Sequence, residues 1–235
     1  MQGVIDRRIL VNFRIEAEAM AAVLPEPFRP QLVAGQAIGG ICLIRLTHVK
    51  PKAYPWMCGI RSENAAHRVA VEWDEDGEVK SGVYIPRRDT DSHLNAIVGG
   101  RLFPGVHHRA RFEVDETEER FGVSLQSDDG ETHVGVHGRV AHRLPSASVF
   151  AELEHASAFF EAGSLGYSDT AQAGVYDGLE LRTDAWSVEA LDVEKVASSY
   201  FLDEDRFPPG SVVFDHALLM RGIPHEWHGK PPLCD

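Results

Sequence analysis

Between Gly82 and Phe112 the chain reads GVYIPRRDTDSHLNAIVGGRLFPGVHHRARF, its densest run of groups that could do chemistry. Arg87 and Arg88 are adjacent, and a guanidinium fork matches a carboxylate or phosphate with two parallel hydrogen bonds. On a strand their side chains leave opposite faces, so only one points inward; with Val83 and Ile85 as face-mates, Arg87 is the expected one. The bland alternative is a salt bridge, with Asp89 as its natural partner. Arg101 follows Gly99-Gly100, and glycines permit a turn that aims the next side chain, so Arg101 is a candidate ligand contact. His107 and His108 also alternate, which spoils chelation of one metal but leaves His107 as a candidate general acid or base. Outside this run, Glu63 lies near Arg61, His67 and Arg68. It reads either as a proton-transfer group tuned by those cations or as a structural ion pair. His133 and His137 lack a third ligand at familiar spacing, so neither a metal nor another cofactor is expected. No Gly-x-Ser-x-Gly elbow surrounds Ser198 or Ser199, which argues against a hydrolase triad.

The elements that must position these groups read as strands. His67 to Trp73 alternates, with Val69, Val71 and Trp73 on one face. Asp76-Gly77 then turns the chain into Glu78 to Ile85 as the second half of a hairpin. Arg8 to Arg14, the Gly-containing run Ala37 to Leu46, Arg109 to Asp115, Phe121 to Ser127, Thr132 to Leu144, Leu179 to Ala190 and Lys195 to Phe201 are further strands. Helices are few. Glu16 to Leu24 is stopped by Pro25, and Ser148 to Ala162 repeats Val149, Leu153, Ala156 and Phe160 at helical spacing before Gly163. Val212 to Met220 is expected to run from strand into helix. The proline-containing tail HEWHGKPPLCD is expected to be irregular, with His225 and His228 as surface or interface residues. No linker or repeat divides the 235 residues, so the expectation is one mainly β domain, an antiparallel sheet or barrel with a few short helices, over residues 1–235.

The formal net charge of −13 argues against nucleic acid, whose phosphates call for a basic face. No apolar run approaches the roughly 18 residues of a spanning helix, and the first ten residues lack a signal core. Three scattered cysteines, Cys42, Cys58 and Cys234, form neither a disulfide framework nor a zinc spacing, which fits a reduced cytoplasm.

Three blocks in order resemble the acetoacetate decarboxylase superfamily. They are Val23-Leu24-Pro25-Glu26-Pro27-Phe28; Ser62-Glu63 through Trp73 to Gly99-Gly100-Arg101-Leu102-Phe103-Pro104; and Val196-Ala197-Ser198-Ser199-Tyr200 through Phe214-Asp215-His216. The runs SENAAHRV, PRRDT, GGRLFPG, GSLGYS and Trp186 to Phe201 are more closely similar to an uncharacterised bacterial YqjF-like family beside those decarboxylases. The resemblance implies a β-cone or barrel with an internal small-molecule pocket, bordered by Phe103 and Arg101. It implies a keto or hydroxy acid as ligand class, and the superfamily's habit leaves a homo-oligomer open. It maps Glu63 onto one pocket glutamate and Arg7 or Arg8 onto a substrate arginine. A second glutamate should fall near Gly39-Gly40, where there is none. In the decarboxylases two lysines follow the aromatic-Pro motif and the first forms a Schiff base; here Gly105-Val106 follow.

The expected function is therefore binding of a small organic anion, by Arg101, Arg87 or Arg88, with Glu63 and His107 as acid–base groups and no lysine-dependent decarboxylation. The alternatives are a non-catalytic sensing module and a structural subunit whose pocket is filled by side chains.

Overall fold

The computed structural model describes residues 1–54, 56, 58–93 and 105–234. In chain order the elements are β1 (Gln2–Glu16), α1 (Ala17–Ala21), β2 (Arg29–Pro30), β3 (Leu32–Val33), β4 (Gln36–Lys50), β5 (Ile60–Glu75), β6 (Glu78–Thr90), β7 (His107–Glu116), β8 (Arg120–Ser127) and β9 (His133–Ala141). They continue with α2 (Leu153–Ala162), β10 (Leu165–Asp169), β11 (Val175–Arg182), β12 (Glu189–Ser198) and β13 (Val212–Cys234). None of the described helices is long and apolar enough to cross a membrane.

All strands belong to one sheet that closes twice. The path β6-β7-β8-β9-β12-β13-β1-β4-β5 returns to β6, and so does the shorter path β6-β10-β11-β13-β1-β4-β5. The strands β13, β1, β4, β5 and β6 are common to both rings and form a wall between them. The wall divides at its two ends. On β6, Val83 to Ile85 pair with β10 whereas Arg88 to Thr90 pair with β7. On β13, Ala217 to Leu219 pair with β12, and the end of the strand pairs with β11. Pairing is antiparallel except at β6–β10 and β6–β7.

Because the wall is covered on both faces, the middle stretches of β1, β4 and β5 are buried almost continuously; ten successive residues of β4, Ala37 to Leu46, are buried. Alternate side chains feed two cores. Ile9, Val11, Ile41, Leu43, Val69 and Trp73 face the larger ring with Val123 and Val136. Leu10, Cys42, Ile44, Ala66, Ala70 and Met220 face the smaller ring, where Ala156 and Phe160 of α2 close over them.

Several expectations change. Val212 to Met220 is strand throughout and does not pass into helix, Leu179 to Ala190 is divided between β11 and β12, and the helix expected over Glu16 to Leu24 is confined to Ala17–Ala21. The tail is a strand and not irregular: β13 runs to Cys234, with Pro224 paired to Val4 and a register shift on β11 that lets Pro231 and Pro232 pass without donating to the ladder. His225 is consequently buried, at 4% exposure. The helix before Gly163 is shorter than its apolar spacing predicts, beginning at Leu153.

Candidate functional site

A cavity of about 100 Å3 lies inside the smaller ring, on the face of the wall that carries the second core. One water needs about 10–15 Å3 on this scale, so the space corresponds to several waters or one small organic molecule. Its apolar lining includes Ile44, Val83, Ile85, Leu179 and Leu181, and its cationic lining is Arg8, Arg68 and Arg88. The three arginines come from three different strands, β1, β5 and β6.

Arg88 reaches the cavity through a bulge. His67 pairs with Arg87, but Val69 pairs with Tyr84, so Arg68 alone faces both Ile85 and Pro86. Pro86 has no N–H to lose at such a point. The extra residue reverses the alternation, and Arg88, not Arg87, shares the face of Val83 and Ile85. Arg87 turns to the other side, where its guanidinium lies 2.9 Å from Asp89 and 2.8 Å from Asp129.

None of the three cavity arginines has a carboxylate within ion-pair distance among the described residues. Their contacts are with neutral groups. Arg8 Nε donates to Cys42 Sγ at 3.2 Å, Arg88 Nε to Ser168 Oγ at 3.0 Å, and Arg68 Nη2 to Asn12 Oδ1. Arg68 Nε is buried without a partner, and its guanidinium carbon lies 4.7 Å from the Phe160 ring centre. Burial pushes both Arg68 and Arg88 down to about 10, still cationic at neutral pH. Asp89 also borders the cavity, with its carboxylate engaged by Arg87.

His107, the first residue of β7, is level with Arg88 and lines the cavity. Its Nδ1 lies 3.2 Å from the Gly105 carbonyl, which can only accept, so this nitrogen carries the proton. Burial, then the Arg88 charge, lowers its pKa to about 4, and the imidazole is neutral at pH 7. His108 points away and meets Asp129 at 3.1 Å.

Glu63 is on the opposite face of β5 and does not line the cavity. Its two oxygens lie 2.5 Å from Arg7 Nη2 and 2.5 Å from Arg45 Nε, and Glu116 bonds both arginines. Of the expected pair Arg7 or Arg8, it is therefore Arg8 that reaches the cavity. Arg101 and Phe103 lie outside the described residues. Residue type and spacing do not single out Arg68 or Cys42; the signal for Arg68 is that Val69, Val71 and Trp73 commit Arg68 and Ala70 to the opposite face. Among the described residues no group of three or more His, Cys, Asp or Glu could hold a metal ion.

At Gly105, where the resemblance calls for a lysine, the backbone has φ +82°, and an added Cβ would come within 2.6 Å of Ser168 Cβ. The backbone at this point is built for glycine.

The sequence profile of DUF2071, described as an uncharacterized conserved protein (COG2071), matches residues 5–218. The chain belongs to this family. No curated protein matches it. Among solved structures, the enduracididine biosynthesis enzyme MppR complexed with pyruvate is similar with a TM-score of 0.59 and 11% identity, over 100% of this chain and 90% of that one. Acetoacetate decarboxylase from Legionella pneumophila gives 0.55 and 12%, over 97% and 86%. An acetoacetate decarboxylase-like enzyme from Sphingomonas wittichii RW1 gives 0.57 and 11%, over 98% and 92%. At these identities the likeness is one of fold, and it makes the family's architecture acetoacetate decarboxylase-like.

Proposed function

We propose that this protein binds a small organic carboxylate, of the oxo- or hydroxy-acid class, non-covalently inside the smaller ring. The observation that carries this reading is the convergence of Arg8, Arg68 and Arg88 on one largely apolar cavity with no described carboxylate pairing any of them. Arg68 is buried and Arg8 and Arg88 are half-buried; a cation withdrawn from water without a counter-charge is costly, and a bound anion would supply the missing charge. Guanidinium groups suit a carboxylate, and Ile44, Val83 and Leu179 suit the short carbon skeleton of its owner. The pyruvate held by MppR is a ligand of this size and charge.

A Schiff base is not part of the proposal. The five lysines, Lys50, Lys52, Lys80, Lys195 and Lys230, do not line the cavity, and 94–104 contains none. We assign acid–base work on the bound acid to His107, an imidazole at the wall beside Arg88 that burial keeps neutral at pH 7.

Titration calorimetry with pyruvate, acetoacetate, lactate and acetate tests the reading, with borohydride added to parallel samples. Binding of at least one acid, with no borohydride-trapped adduct by mass spectrometry, is expected. No binding by any of the four, on folded protein, overturns it.

A further inference from the structure

One register row crosses the wall from β13 to β5: His216 pairs with Asn12, Asn12 with Gly40, and Gly40 with Arg68. Each residue of the row, and Asp215 beside it, is at most 3% exposed where it carries a polar side chain. The gap at Gly40 is required. An added Cβ there would lie 2.2 Å from the Val11 carbonyl oxygen and 3.1 Å from Asn12 Oδ1, in the space that Asn12 and Arg68 use to meet.

The hydrogen bonds along the row have only one consistent direction. Arg68 can only donate, so Asn12 presents Oδ1 to it, and Asn12 Nδ2 donates to the Leu10 carbonyl at 3.1 Å. The same Nδ2 lies 3.0 Å from His216 Nε2, which must therefore accept. The proton of the neutral ring is then on Nδ1, 2.6 Å from Asp215 Oδ2. Asp215 is anchored in turn by Ser148 Oγ at 2.6 Å, the Val149 N–H at 3.0 Å and Arg14 at 3.3 Å. Burial works against the Asp215 charge, but the bonds from His216, Ser148 and Val149 prevail and hold its carboxyl below the usual value. Both ring nitrogens of His216 and both polar atoms of Asn12 are used. At the far end, Arg68 Nε is buried without a partner on a residue that lines the cavity.

We propose that Asp215, His216 and Asn12 are positioning residues that fix one edge of the Arg68 guanidinium so that its remaining donors face the bound carboxylate. The proposal deepens the carboxylate-binding reading and rests on it. A guanidinium held on one side loses less freedom when it binds, so the chain raises affinity without touching the ligand. It also settles the charge: a neutral amide against Arg68 leaves the cation for the ligand, where a carboxylate would neutralise it. Asp215 is kept one imidazole and one amide away.

The test combines pyruvate titration with NMR of the arginine side chains, on wild type and the variants Asn12→Leu, His216→Leu and His216→Gln. Glutamine retains an acceptor for Asn12 and a donor for Asp215. In ligand-free wild type the Arg68 Nη protons are expected as resolved lines, because the bond to Asn12 slows rotation; in Asn12→Leu and His216→Leu they merge. Pyruvate is expected to shift the Arg68 Nε–H line, and its Kd to rise about tenfold or more in the two leucine variants, with His216→Gln within about threefold of wild type. Unchanged Nη lines in folded His216→Leu overturn the chain whether or not pyruvate binds. Equal pyruvate affinity across folded variants overturns its effect on binding. Wild type that binds none of the four acids, with the Nη lines behaving as expected, defeats the carboxylate reading and with it the proposed role, leaving only the hydrogen-bonded chain.

Discussion

Ile85 and Arg88 lie on the same face of β6 although three positions separate them, because Ile85 and Pro86 together oppose Arg68. An odd separation on a regular strand sends two side chains to opposite faces. The bulge thus decides which of two adjacent arginines is available to a ligand, and it gives Arg87 and Arg88 different phenotypes. Arg88→Met is expected to weaken pyruvate binding about tenfold or more while leaving the fold intact, as loss of a charge-assisted contact does. Arg87→Met instead strands the fully buried Asp89 and should cost about 3–5 kcal/mol of stability by denaturant titration, leaving pyruvate affinity nearly unchanged in the folded fraction.

The arginine-lined cavity also contains Cys42, whereas Cys58 and Cys234 are exposed. Iodoacetate carries the carboxylate that the arginines should hold; iodoacetamide is its neutral counterpart. The ratio of alkylation rates, iodoacetate over iodoacetamide, is therefore expected to be about tenfold or more higher at Cys42 than at the two exposed thiols, and to fall when pyruvate is added. Peptide mass spectrometry reads all three sites in one sample. Equal ratios at the three cysteines would contradict steering by the arginines.

Glu63 lies across the wall from the cavity, paired with Arg7 and Arg45. Glu63→Gln removes the charge shared by Arg7 and Arg45, and the expected outcome is a loss of about 3–5 kcal/mol in stability with pyruvate affinity preserved. A large loss of affinity in well-folded Glu63→Gln would return this residue to the site.

Acid sensitivity follows from buried neutral imidazoles. Burial, chiefly, lowers His67 to about 3 and His107 and His225 to about 4, against 6.5 in the unfolded chain. Below pH 6.5 the unfolded state binds more protons than the folded one, so stability is full above that value and falls as pH drops toward 4. Thermal melts from pH 7.5 to 4.5 should show a steadily falling Tm. His67 packs at a tilt against Tyr200, ring centres 5.1 Å apart, with both ring nitrogens unpartnered, so His67→Phe should raise Tm at neutral pH and flatten this dependence. A Tm that does not change over this range would exclude the mechanism.

Much of the fold is legible in sequence because alternation and turn chemistry are local. Val69, Val71 and Trp73 identify one face of β5, Asp76-Gly77 identifies its hairpin, and the unbroken apolar run from Ala37 identifies a strand covered on both sides. His107 and Arg88 could likewise be singled out by residue type. Ring membership could not. Pro86 in an alternating run is compatible with an edge, a strand end or a bulge, and only pairing with β5 chooses among them. Arg68 and Glu63 both looked like members of one charged cluster, yet five positions along a strand put them on opposite sides of a wall with a separate core on each side. Asn12, His216 and Asp215 carry no signal at all as a group, since some two hundred residues separate Asn12 from the others. Taken alone, the amino-acid order determines the strands that alternate without interruption, the faces of those strands, and the absence of a lysine beside Pro104. The sheet's double closure decides which face encloses a cavity and which arginines it leaves without a counter-charge, because those depend on pairings between strands that no local pattern encodes.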